Sequence, residues 1–133
     1  MEPAAESSLT APFWEAAARG ELVRPVCEEC GRSFFTPQLV CPHCRSERWS
    51  YVASSGQGRI ETFTAVHRGP DPRFETPYLL AVVDLVEEGW RLMTNIVGTP
   101  ADQVEIGMPV TVSWQQREGL ALPCFTAATG APV

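Results

Sequence analysis

The sequence predicts a mainly β chain in three parts: a short N-terminal helix, a metal-bound cysteine ribbon and a small five-stranded barrel. Three observations carry this. Four of the five cysteines stand as two C-x-x-C pairs, a brief helical stretch with start and stop signals precedes them, and from Gly56 onward short β-type runs alternate with turn residues. The 133 residues suffice for one ordinary domain with a small appendage. Composition divides them into 1–20 for the tail and helix, 21–52 for the ribbon and 53–133 for the barrel and C-terminal tail.

Residues 1–9 are small, acidic and polar, and are expected to be disordered or ordered only by a partner. Thr10 then offers an N-cap, Pro12 sits in the first turn and Gly20 supplies a stop, which places a helix over 11–19. Phe13 and Trp14 lie four residues before Ala17 and Ala18, so each aromatic shares a face with a small residue. So short a helix is marginal alone. It either packs on its own domain or presents Phe13 and Trp14 to another chain as apolar anchors.

Residues 21–50 hold too little apolar sequence for an independent core, so the metal must organise them. Their spacing is C-x2-C-x10-C-x2-C, with Cys27, Cys30, Cys41 and Cys44 as ligands. Each pair makes a tight knuckle, and two facing knuckles complete a tetrahedral four-sulfur site that suits zinc. Such a site leaves no open coordination position, which makes it structural. Rubredoxin-type iron takes the same ligands, but nothing here marks an electron partner. His43 lies inside the second pair, where side chains turn outward. Gly31 follows the first knuckle, whereas Arg45 stands at the matching place after the second.

Gly58–Val66 reads as the first barrel strand, and Tyr78–Val86 as a second covered on both sides, apolar except for Asp84. Glu87-Glu88-Gly89 reads as a hairpin turn. Trp90–Val97 alternates, with Trp90, Leu92 and Ile96 on one face, and Met108–Trp114 alternates again after a turn-rich link at Gly98-Thr99-Pro100. Pro109 suits only an edge or a strand start. Leu120–Ala127 completes five strands, which fit a barrel of the OB kind, although strand count alone also allows a sandwich.

Charge narrows the function classes. All ten basic residues are arginines, which excludes a Schiff-base or P-loop lysine, and the net charge of −6 opposes sequence-blind nucleic-acid binding. Four thiolates and one divalent ion take it to about −8. With two histidines and three aspartates, few nucleophile and base arrangements exist. Cys124 with His67 is one, but a cysteine in Leu122-Pro123-Cys124-Phe125 reads better as a small buried hydrophobe. Asp84 reads as a carboxylate hydrogen-bonded to a turn. The loop from His67 to Pro77 is the best candidate for function: Arg68 and Arg73 can grip a phosphate and Phe74 can stack on a base. The plainer alternative is a solvated loop. No apolar run approaches the length of a membrane span and the N-terminus lacks signal-peptide character, so a cytoplasmic chain is expected.

In order and spacing the residues resemble the zinc-ribbon and OB-fold family of acyl-CoA metabolism, long known as a domain of unknown function with a rubredoxin-like ribbon. The resemblance rests on Phe13-Trp14, Gly20-Glu21-Leu22, Cys27-Glu28-Glu29-Cys30-Gly31, Phe35-Thr36-Pro37, Cys41-Pro42-His43-Cys44 and Ser55-Gly56-Gln57-Gly58, with Pro77-Tyr78 and Ile106-Gly107-Met108-Pro109-Val110 beyond. Arg45 is the modest departure. The resemblance implies a rubredoxin-like zinc ribbon before an OB-fold barrel, with structural zinc, in a hetero-oligomer with a thiolase-like or lipid-transfer-type enzyme, including steroid side-chain aldolases. The chain is then a non-catalytic accessory subunit that helps to bind or channel a CoA thioester. Arg59, Arg68, Arg73 and Phe74 become candidates beside the CoA, and Phe13 and Trp14 candidates for the partner interface. The alternative from another class is a single-stranded nucleic-acid-binding OB-fold, which requires a basic groove with stacking aromatics.

Overall fold

The computed structural model describes residues 8–128, so most of the disorder expected for residues 1–9, and the end of the C-terminal tail, lie outside the described residues. Helix α1 covers Ala11–Ala18. Thr10 caps it through its carbonyl, which accepts from the N–H groups of Phe13 and Trp14 at 3.0 and 3.2 Å. At the other end the N–H of Gly20 reaches Ala17 O and that of Glu21 reaches Ala16 O, both at 2.9 Å, closing the helix in a Schellman motif.

Strand β1 (Val23–Cys27) pairs antiparallel with β2 (Trp49–Ala53), from Val23 opposite Ala53 to Cys27 opposite Trp49. This hairpin closes the ribbon at its base. Neither strand is evident in the sequence, because each is five residues long and Pro25 reads against a strand.

Strands β3 (Gln57–Val66), β4 (Tyr78–Leu85), β5 (Trp90–Ile96), β6 (Pro109–Arg117) and β7 (Leu120–Ala127) form a closed barrel in the order β3-β4-β5-β7-β6. Pairs are antiparallel except β5 with β7, which meet in parallel at Ile96 and Phe125. Closure removes the sheet edges and decides for the barrel over the sandwich. Pro109 opens β6, the position its missing N–H permits. That strand continues past Trp114 to Arg117 because β7 pairs with it along its whole length after Pro109.

The core is centred on Ile60, Val83, Leu85, Val110 and Phe125. Gly58 permits the close approach of β3 to β4: a Cβ there would lie 2.9 Å from Asp84 O and 2.7 Å from a Val83 methyl. One expectation is corrected on β4. Buried and half-buried residues alternate strictly along it, so Leu80, Val82 and Asp84 share an outer face that stays partly open to solvent. Asp84 is therefore half-buried rather than enclosed, in register between Arg59 of β3 and Arg91 of β5.

Three aromatic rings join the parts. Phe35 of the ribbon packs between Phe13 of α1, centroids 5.7 Å apart, and Trp90 of the barrel, 5.4 Å apart. A carboxylate secures the same joint. Glu88 accepts from Ser54 Oγ at 2.6 Å, Ser55 N–H at 2.7 Å and Trp90 Nε1–H at 2.9 Å, tying the ribbon–barrel link to the β4–β5 turn. Burial pushes the Glu88 carboxyl up, but these three bonds and nearby Arg24 outweigh it and hold the carboxyl below its ordinary value. A carboxyl depressed in the folded state stabilises above its unfolded pKa, and the contribution disappears as pH falls through the folded value. Glu88→Gln is therefore expected to lose about 1–2 kcal/mol at pH 7. The deficit relative to wild type should shrink between pH 5 and 3 in paired urea titrations; a deficit that holds constant with pH would remove the charge from this account. Among the described residues no helix is long and apolar enough to cross a membrane.

Candidate functional site

Two sites emerge from this frame. The first is the cysteine cluster at the end of the ribbon. Both knuckles have one construction: Gly31 N–H returns to Cys27 O at 3.0 Å and Arg45 N–H to Cys41 O at 2.7 Å, while Cys27 N–H reaches Arg32 O and Cys41 N–H reaches Ser46 O. Each turn requires a left-handed residue after the second cysteine, with φ of +74° at Gly31 and +67° at Arg45. The arginine fills a position that glycine takes at lower steric cost, and the ligand geometry is unaffected.

The four Sγ atoms lie within 4.8 Å of one another. Cys27 and Cys44 are 3.5 Å apart, and Cys30 and Cys41 3.7 Å. A tetrahedral zinc with bonds near 2.3 Å sets its sulfurs about 3.8 Å apart, so Cys27, Cys30, Cys41 and Cys44 fit zinc closely. Backbone N–H groups of Cys30 and His43 point at the sulfurs of Cys27 and Cys41, at 3.5 and 3.4 Å. The Cys30 N–H draws the Cys27 thiol down, whereas Cys44, despite its bond from the Ser46 N–H, is pushed up by the neighbouring Cys27, Cys30 and Cys41 sulfurs, so the sulfurs titrate as one interacting cluster. His43 is exposed with Nε2 3.3 Å from the Ser33 carbonyl oxygen, outside the sulfur cluster.

The second site is a cleft of about 790 Å³ between the β3–β4 loop, the start of β4, the end of β5 with its following turn, and the end of β6. Its volume is that of a small-molecule site. Arg73, Phe74 and Arg117 stand at its rim, above Tyr78, Leu79 and Ile96. Arg73 binds the Asp71 carboxylate through Nε and Nη2, at 3.3 and 2.9 Å, and Glu118 through Nη1 at 3.5 Å. The Arg117 guanidinium lies over the Phe74 ring, 5.3 Å from its centroid.

The sequence candidates separate on this frame. Arg73 and Phe74 share the cleft, but Arg68 does not line it, and Arg59 donates instead to Gly107 O at 3.1 Å. Phe13 is only 6% exposed and belongs to the chain's own core, because α1 lies across β1 and β7. Trp14 stays half-buried, edge-on to Phe13 at 5.1 Å. Cys124 is 2% exposed and sits opposite Ser113, and desolvation pushes its thiol up, the reverse of an activated nucleophile. Arg117 carries no local sequence signal for this cleft, since only folding brings it to Phe74.

Residues 14–50 match the ChsH2 rubredoxin-like zinc ribbon domain, and residues 51–115 match the ChsH2 C-terminal OB-fold domain. The chain belongs to the ChsH2 family. It is 34% identical to a DUF35 domain-containing scaffold protein of Methanothermobacter thermautotrophicus over 74% of each chain. A chain of the solved Ltp2-ChsH2(DUF35) aldolase superposes with a TM-score of 0.85 at 39% identity, over 94% of this chain and 98% of that one. A probable enoyl-CoA hydratase alpha subunit of Thermomonospora curvata is 42% identical over 87% of this chain, but the chain spans only 37% of that relative. In ChsH2 terms, the four cysteines lie in the ribbon match, and Arg59, Arg68, Arg73 and Phe74 lie in the OB-fold match.

Proposed function

We propose that this chain is a non-catalytic, zinc-stabilised accessory subunit of an acyl-CoA thiolase-superfamily or aldolase complex in lipid or steroid side-chain metabolism. It helps to bind or channel the CoA thioester, and the bond-making chemistry belongs to the partner. The observation that carries this is the end-to-end likeness to a chain of the Ltp2-ChsH2(DUF35) aldolase. The rim of the cleft supports the ligand class, with arginines for phosphate and Phe74 for a base. A buried Cys124 with a raised pKa supports leaving the chemistry to the partner.

Co-expression with a thiolase-like or lipid-transfer-type enzyme encoded beside it should give a complex that co-elutes in size exclusion. The partner should then gain activity or stability over the isolated subunit. Separate elution together with an unchanged partner would defeat the proposal. The nucleic-acid reading is disfavoured by charge pairing: Arg19, Arg48, Arg73 and Arg91 each hold a carboxylate within 3.5 Å, which dissipates the basic surface such binding requires.

A further inference from the structure

Among the described residues the Arg73 guanidinium meets two unlike carboxylates. Asp71 takes Nε and Nη2 and also accepts the Arg73 backbone N–H at 2.7 Å, so it is a local partner fixed by the loop itself. Glu118 comes from the β6–β7 turn, far away in sequence, and reaches Nη1 at 3.5 Å, with its side chain 42% exposed. A long, half-solvated ion pair is worth little and exchanges readily. The contact nevertheless sits beside the cleft, next to Arg117, where a phosphate could meet both guanidinium groups.

We propose that Glu118 is an internal competitor for the phosphate of the ligand. It occupies Nη1 of Arg73 in the free chain, and a phosphate entering the cleft displaces it while Asp71 keeps the guanidinium oriented. This rests on the reading of the cleft as the CoA site and adds to it a residue that sets affinity. Glu118 discriminates by charge, because an anionic group such as phosphate can displace a carboxylate from the fork, whereas an uncharged acyl or pantetheine portion gains nothing from the exchange.

Removing one negative charge within about 4–5 Å of the phosphate in water is worth about a fivefold change in affinity. Calorimetric titration of the zinc-loaded full chain with coenzyme A at low ionic strength is expected to show Glu118→Gln binding about fivefold tighter than wild type. Arg73→Gln should bind more than tenfold weaker. Pantetheine, which lacks the phosphates, should bind all three chains alike. Should Glu118→Gln lower the melting temperature, Glu118→Asn, suited to the φ of +51° at that position, gives the same reading. Coenzyme A binding that is equal or weaker in the Glu118 variants, with wild type binding well, overturns the competitor and leaves the CoA site standing. Absence of coenzyme A binding in every variant overturns both.

Discussion

Replacing Cys27 by serine is expected to reduce bound zinc from about one equivalent per chain to almost none and to unfold the ribbon. The size of the effect follows from how little else holds that segment. Its buried cluster consists of Cys27, Phe34 and Cys41 with Trp49 packed against them, so two of the three buried members are themselves ligands. Four-cysteine zinc contributes about 10–16 kcal/mol of apparent binding energy in small folding units, comparable to the whole stability of an ordinary domain. A serine hydroxyl stays protonated at neutral pH and is a poor soft-metal ligand. Elemental analysis should lose the metal, and near-ultraviolet dichroism should lose the signal of Trp49, which is set edge-on between Phe34 and Tyr51 at 5.5 and 5.2 Å. Cys124→Ser, at the fifth cysteine, should keep a full equivalent. A Cys27→Ser chain with full zinc and an unchanged melting curve would refute the site.

The ribbon also shows why some features are legible in a sequence and others are not. Ligand spacing is local, so the two C-x-x-C pairs announce the site, and Arg45 announces an unusual turn. Alternation is local too, which is why β5 appears in the sequence nearly as it folds. Contacts that depend on register between distant segments leave no such trace. Glu88 sits in an ordinary turn sequence, yet its partners Ser54 and Ser55 are 34 and 33 residues away. The hairpin of β1 and β2 is similar, since its two short strands lie more than twenty residues apart in the chain and meet only on folding. The cleft was half legible: loop length singled out Arg73 and Phe74, while Arg117 and Glu118 arrive from a hairpin more than forty residues on. Arg59 donates to Gly107 O, and neither it nor Arg68 lines the cleft.

The helix offers the sharper test, because two adjacent aromatics with one sequence signature have different surroundings. Phe13→Ala should cost about 3–5 kcal/mol, the usual loss for a large core side chain, and should lower the melting temperature by about 10 °C or more. The cavity would open between α1 and Phe35, whose other neighbour is Trp90, so the loss spreads to the seam between ribbon and barrel. Trp14 is half-buried and packs mainly on the edge of Phe13, so Trp14→Ala should cost a smaller amount, about 1–2 kcal/mol by lost area. The order reverses for association if the helix meets the partner. Trp14→Ala should then weaken the complex by more than its effect on the isolated chain, as an exposed aromatic anchor does. Phe13→Ala should weaken the complex only in proportion to the folded fraction it leaves. Melting curves of the two isolated variants, read beside pull-down with the partner, separate the two roles. A Phe13→Ala chain as stable as wild type but unable to bind would return Phe13 to the interface and remove it from the core.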